Sequence, residues 1–362
     1  MWPMTEHTPN TVCFTLWFRN HNNPRYADLF PRLSSVVQFR KVTLSRHRIV
    51  RGAQYRLWHA LQRKLIYPCA LQHLARRFET LFTVDYAQIP MWPRPRSVVV
   101  DIDDPVFTPE EVTALNLPQV KAIVVTTDKA KSIFGNLGVK RPIHIIPQGV
   151  PVGQTESQKV AAIRKRFKNE MDVIVGYHAP TLTMAADGSN RRRSDQDDLD
   201  FLFAALEDAR QLEPRLRLWL FGVPSETLRR YVVQGRESWA RLFGYVPFSE
   251  ILNYLANVDI GVYPRMWTPP PARFSVKIAQ FMACGIPVVS RELDEGFIIS
   301  KAGCGVLCKT RDDFSRALID LAQSDEKRRN LGHSGRNYAR AYLDWSVLVP
   351  AYQEILTSKK NE

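Results

Sequence analysis

What the chain has little of already narrows its class. Its five cysteines, Cys13, Cys69, Cys284, Cys304 and Cys308, are odd in number and scattered, which speaks against a disulfide framework and for a reducing compartment. Cys304 and Cys308 lie close together in sequence but have no second ligand pair nearby, so a zinc site is not expected. No apolar run approaches the roughly 20 residues that a membrane span requires. The amino end, Met1-Trp-Pro-Met-Thr-Glu-His, lacks the cationic flank and apolar stretch of an export signal, and the expectation is a soluble cytoplasmic protein. No repeat of solenoid length stands out either. The most uneven absence is of acids: none occurs between Asp28 and Glu79.

Bases crowd into that same interval. Arg32, Arg40, Lys41, Arg46, Arg48, Arg51, Arg56, Arg63, Lys64, Arg76 and Arg77 carry much of the net charge of +14. Such a run sets up a positive field that concentrates phosphate-bearing partners. Residues 51–65 also hold Tyr55, Leu57, Trp58, Leu61 and Leu65, the make-up of an amphipathic helix with an interfacial aromatic. Contact of residues 32–77 with an anionic membrane surface, at the inner face of the membrane, is therefore favoured over binding of a pyrophosphate-linked lipid. A nucleic-acid partner is not expected, because no zinc finger, RNA-recognition aromatics or other such module is visible.

A length of 362 residues, 45% of them hydrophobic, supplies two cores rather than one. The first half reads as short apolar strands at 12–18, 36–39, 80–84, 97–102, 122–126 and 143–146, with helices between them, notably 51–65 and 128–137. A polar stretch over 151–170, with a short helix near 159–167, reads as a connection. Strands then recur at 173–177, 216–221, 241–245, 260–263, 288–289 and 305–307, alternating with helices at 199–211, 225–233, 249–256 and 275–284. Alternation of this kind implies parallel sheets wrapped by helices, an α/β architecture.

The most informative segment runs from Arg273 to Ser290. Ser275 is placed to cap a helix, Gly285 to end it in a left-handed turn, and Pro287 to prevent continuation before Val288 and Val289 begin a strand. Lys277 and Gln280, three residues apart, share one helix face, and Arg273 precedes Lys277 by a turn. A cation and an amide at the start of a helix suit a nucleotide phosphate.

Here the chain resembles the glycosyltransferases of family 4, the group 1 transferases, which have the GT-B fold. Their nucleotide-sugar helix commonly reads Lys-x-x-Glu-[Tyr/Phe]-Met-Ala-x-Gly-x-Pro-Val-Val, matched by Lys277-Ile-Ala-Gln280-Phe281-Met282-Ala283-Cys-Gly285-Ile-Pro287-Val288-Val289. The stretch Gly244 to Pro264, the junction Ile146-Pro147-Gln-Gly149-Val150 and the closing Trp345 to Leu356 are similar to the family as well, so that the resemblance covers about residues 120–357. Two acids of the family pattern are replaced. The ribose-bonding glutamate is Gln280, and the donor-sugar acid eight residues earlier is Ala272.

The resemblance implies two Rossmann-like doubly wound domains facing across a cleft: an acceptor-side domain over 1–150 and a nucleotide-sugar domain over 171–342, with residues 343–362 returning to the first. It implies donor contacts from Lys277, Gln280, Arg273, Phe274 and Ser275, and from Tyr245 and Val246, whose backbone meets the base. The family's Arg and Lys after the first strand of the nucleotide domain have no direct counterpart. That loop, Gly176 to Arg193, brings Arg191, Arg192 and Arg193 late, with Arg193 as the candidate, and starts with His178 at the strand end. On the acceptor side, His21 in a polar loop and Asp103 are candidates. The implied reaction moves a sugar from a nucleotide-diphosphate donor, as co-substrate, to a glycan, lipid-linked or small-molecule acceptor, as in polysaccharide biosynthesis. Retention of configuration, no metal and no other cofactor are implied with it.

Two further readings stand beside it. The losses at Ala272 and Gln280 suit a non-catalytic homologue that only binds or assembles. More distantly, Val98-Val-Val-Asp101-Ile-Asp103 is similar to the first motif of haloacid-dehalogenase phosphatases, with Asp101 as nucleophile, although Pro105 departs from that motif.

Overall fold

Parallel strands alternate with helices through the computed structural model, which describes residues 12–17, 24–37, 39–44, 65–76, 78–93, 96–184, 196–265, 272, 274–292 and 297–358. The chain divides into two compact units. The first draws on Met1–Gly149, Pro270–Phe274 and Trp345–Glu362, the second on Val150–Pro269 and Ser275–Asp344.

In the first unit β1 (Val12–Trp17), β2 (Phe39–Leu44), β3 (Thr80–Thr83), β4 (Ser97–Ile102), β5 (Val120–Val125) and β6 (Ile143–Ile145) form one sheet in the order β2-β1-β3-β4-β5-β6. All its ladders are parallel. Strands β3, β4 and β5 are apolar runs buried almost throughout, as central strands covered on both faces must be. One correction concerns β2, expected at 36–39: Val36 and Val37 end the turn after the Pro24–Leu33 helix, and the strand begins at Phe39. The Trp345–Thr357 helix belongs to this unit, where Trp345, Leu348, Val349 and Tyr352 share a core with Tyr26, Leu29, Phe30 and Phe82. The basic helix expected over 51–65 lies outside the described residues except at Leu65.

The second unit holds β7 (Val173–Leu182), β8 (Leu216–Pro224), β9 (Ala240–Gly244), β10 (Ile260–Tyr263), β11 (Val288–Arg291) and β12 (Gly305–Cys308), again all parallel, in the order β12-β11-β10-β7-β8-β9. Side-chain caps fix where several helices start. Ser225 accepts from the Leu228 amide, and Thr310 and Asp313 form a reciprocal capping box. Residues 151–170, read from the sequence as a connection, lie in this unit. There the Ser157–Phe167 helix is tied down by Asn253, whose Oδ1 accepts from the Glu156 amide at 2.8 Å, and by Asn257, which donates to the Val160 carbonyl at 3.2 Å.

The strand order of this second sheet matters for function. From β7 the chain moves outward through β8 and β9, then returns to β10 on the other side of β7 and moves outward again through β11 and β12. The reversal of direction falls between β7 and β10, where ligands of open parallel sheets bind at the carboxyl ends of the strands.

Candidate functional site

At that reversal the ladder opens. Strand β7 pairs with β10 only through Val175 and Gly176, opposite Ile260 and Gly261, whereas it stays paired with β8 as far as Leu182. Tyr177 and His178 on one side, and Val262 and Tyr263 on the other, thus lie beyond the last shared rung. His178 was expected at the end of its strand. In fact β7 runs on past it, because the pairing with β8 continues through a register shift between His178 and Thr181.

The Val276–Cys284 helix starts over this opening. Gly285 ends it in the left-handed region at φ 72°, as its position before Ile286 and Pro287 suggested. Ser275 occupies the N-cap position with extended backbone, but its side chain makes no capping bond, contrary to expectation. The first-turn amides are therefore not capped by Ser275, and an uncapped helix start is the arrangement that receives an anion.

Two close approaches seat this helix. A Cβ built on Gly261 would stand 2.5 Å from the Phe281 ring, so only a glycine at this position of β10 lets Phe281 pack this close to the strand. At the far end, a Cβ on Gly332 of the Asp325–Tyr342 helix would stand 2.0 Å from the Gly285 carbonyl oxygen.

With the helix so placed, the Lys277 ammonium lies over two buried aromatic rings, 5.7 Å from the centroid of Tyr177 and 5.8 Å from that of Tyr263. Each ring face attracts the cation, and the two tyrosines come from the two strands that part at the opening. His178 packs edge-on against Phe281 with ring centroids 5.5 Å apart. Burial, reinforced by the nearby Lys277 charge, lowers its pKa to about 3, so the imidazole is neutral at physiological pH. Its Nε2 is buried with no hydrogen-bond partner among the described residues, and the same holds for Oε1 of Gln280, a residue only 1% exposed.

The structure thus gathers Lys277 and His178, with Gln280 and Ser275 on the same helix. Tyr245, largely exposed, and the half-buried Val246 follow β9 at the same carboxyl edge of the sheet. Phe274 is buried and counts with the first unit. So does Ala272, which is buried in that unit's core at φ 85° and accepts a 2.8 Å hydrogen bond from the Thr127 hydroxyl. Arg273, Arg193 and His21 lie outside the described residues. Tyr177, Tyr263 and Arg265 escaped the sequence reading, since nothing in their spacing marks them: only the parallel sheet brings the two tyrosines to Lys277, and Arg265 joins them through the Tyr263 hydroxyl.

In the first unit Asp103 is half-buried after β4, while Asp101 is inaccessible. The Asp101 carboxylate, 0% exposed, takes two hydrogen bonds from the Arg25 guanidinium at 3.2 and 3.3 Å and one from the Tyr352 hydroxyl at 2.6 Å. Arg25 also donates to the carbonyls of Pro147 and Ile146. A carboxylate enclosed in this way is a structural ion-pair member, and the phosphatase reading that required it as nucleophile is set aside.

The fold is one that solved structures define. The chain superposes on Anabaena Alr3699/HepE in complex with UDP with a TM-score of 0.72 and 13% identity, over 97% of this chain and 100% of that one. It superposes on sucrose-phosphate synthase of Thermosynechococcus elongatus with a TM-score of 0.71 and 14% identity, over 96% and 98% of the two chains. For WaaG, a glycosyltransferase involved in lipopolysaccharide biosynthesis, the TM-score is 0.64 at 13% identity, over 96% and 100%. At such low identity the likeness is one of fold: the chain has the GT-B fold, with two Rossmann-like parallel-sheet domains.

Residues 184–324 match the family model described as glycosyl transferases group 1. The motif from Lys277 to Val289 lies inside that match, so the similarity to the group 1 transferases extends well beyond the motif that first suggested it. No curated protein is a significant match to the sequence.

Proposed function

We propose that the protein is a glycosyltransferase that takes a sugar from a nucleotide-diphosphate donor and passes it to a glycan, lipid-linked or small-molecule acceptor. The observation that carries this reading is the position of Lys277: its ammonium rests on two tyrosine rings at the point where the second sheet reverses direction, in the first turn of a helix without a side-chain cap. A fixed cation and a row of helix amides stabilise the negative charge that develops on a departing diphosphate.

In this reading Gln280 meets the donor's ribose. Its buried Oε1 lacks a partner among the described residues, and an unpaired buried acceptor costs about 1–3 kcal/mol, which a ligand hydroxyl would recover. Tyr245 and Val246 line the base, and His178, held neutral, serves as a hydrogen-bonding group rather than a charge. Phe274, Arg273 and Arg193 complete the donor side, with His21 and Asp103 on the acceptor side. Sugar transfer proceeds with retention and without metal, the leaving phosphate accepting the acceptor's proton. The second unit is the nucleotide-sugar domain, the first the acceptor domain. The basic run over 32–77 rests on the inner face of an anionic membrane. No helix among the described residues is long and apolar enough to cross one.

UDP and UDP-glucose are bound in the HepE structures, so uridine nucleotides are the first to test. Thermal-shift measurement with UDP, GDP and ADP is expected to give stabilisation by at least one of them. No stabilisation by any would refute the donor site.

A second reading, a binding subunit without activity, is favoured by Ala272. Where the family has an acid, this chain has a methyl group buried in the core of the first unit. Slow hydrolysis of a bound sugar nucleotide separates the two, since a subunit that only binds leaves the donor intact.

A further inference from the structure

The second strand at the opening carries a cation that no part of the family motif anticipates. Arg265 follows β10 directly, two residues after Tyr263. Its guanidinium Nη1 donates to the Tyr263 hydroxyl at 2.9 Å. The ring of that same tyrosine underlies the Lys277 ammonium. One buried side chain, 2% exposed, therefore organises two positive groups, one on its ring face and one at its hydroxyl.

We infer that Arg265 is a further diphosphate-holding cation of this site, acting beside Lys277 from the end of β10; this rests on the nucleotide-sugar reading. A diphosphate brings at least two negative charges. The helix start offers roughly half a charge and Lys277 one. His178, which ends the β7 side of the opening, adds none while it is neutral. Two positive groups gathered on one tyrosine give a bound dianion two points of attraction. The planar guanidinium also offers what Lys277 cannot: paired N–H groups that engage two phosphate oxygens in fixed geometry. Tyr263 acts as a positioning residue, its ring fixing one cation and its hydroxyl the other.

The test is calorimetric titration of the full chain with UDP, UMP and uridine, or the corresponding series for GDP or ADP if the wild type prefers one of those. In Arg265→Gln the diphosphate should bind about 10- to 100-fold more weakly, the range expected for losing hydrogen bonds to a charged group. Nucleoside affinity should change by less than about twofold, and Arg265→Lys should recover part of the loss. Tyr263→Phe keeps the ring under Lys277 and removes only the hydroxyl that holds the guanidinium. It should weaken diphosphate binding by about fivefold, and it carries the test should Arg265→Gln unfold. Unchanged diphosphate affinity in these variants, or equal losses for diphosphate and nucleoside, overturns the assignment of Arg265. The wider reading then stands if Lys277→Ala still shows a diphosphate-selective loss. If the wild type binds no nucleoside diphosphate, both fall together.

Discussion

Each unit gathers polar groups at the carboxyl ends of its parallel strands, yet the two gatherings are opposite in character. In the first unit Arg25, Asp101 and Tyr352 satisfy one another and two backbone carbonyls, and none is accessible. Burial pushes the Asp101 carboxyl up, Arg25 and Tyr352 pull it back, and the net direction is upward. Desolvation thus outweighs the attraction, as is common for buried ion pairs. In the second unit Lys277 is held on aromatic faces while His178 Nε2 and Gln280 Oε1 have no hydrogen-bond partner among the described residues. A closed network locks a fold in place, whereas the buried polar atoms near Lys277 are what the proposed donor would satisfy. Residue type alone does not tell them apart, because Asp101 at the end of a strand also fits, more distantly, the pattern of a nucleophile.

The contrast can be broken at either end. The largest effect is expected from Asp101→Ala, which strands the Arg25 charge and should lower unfolding free energy by about 3–5 kcal/mol, measured by urea denaturation of the purified chain. Replacing both partners with apolar residues, Arg25→Met with Asp101→Leu, should restore much of that loss. Next comes Lys277→Ala. It should leave the unfolding midpoint nearly unchanged but weaken diphosphate binding by about 1.5–3 kcal/mol, with nucleoside binding spared. Equal losses for both ligands would remove Lys277 from the phosphates.

A pH-dependent effect, small near neutrality, concerns His178. The unfolded chain protonates His178 near pH 6.5, the folded chain only near 3. Between those values the unfolded state binds more protons, so this residue's contribution to stability is intact above 6.5 and erodes as pH falls towards 3, by up to about 1.4 kcal/mol per pH unit. Subtracting the stability curve of His178→Asn from that of the wild type should isolate this slope. A flat difference between pH 4 and 6 would mean the histidine is solvated. The smallest structural effect is expected for Tyr245→Ala. At 68% exposure its removal should shift stability by less than about 0.5 kcal/mol, while nucleoside affinity falls if the base lies against it.

Much of this was legible in the chain itself. Parallel sheets were readable because runs such as Val98-Val-Val and Ala122-Ile-Val-Val are apolar without alternation, which only strands covered on both faces allow. The lysine helix was readable because Gly285 and Pro287 punctuate it. The Pro24–Leu33 helix was not, since it contains Pro31 and follows a polar stretch that reads as loop. Strand β2 carries Arg40 and Lys41 within its short span, which displaced its expected position towards the apolar Val36 and Val37. The aromatic seat of Lys277 escaped for another reason: Tyr177, Tyr263 and Lys277 are distant in sequence, and they meet only because β10 returns beside β7. Arg265 was invisible for the same reason.

The contact between Gly332 and the Gly285 carbonyl has a consequence for how the lysine helix can respond to its ligand. The room for a methyl group is absent there, so the end of the helix lies in backbone contact with the Asp325–Tyr342 helix and cannot shift towards it. On the donor-binding reading, that contact makes side chains and neighbouring loops, rather than the helix's far end, the parts that adjust, and the helix stands as an anvil.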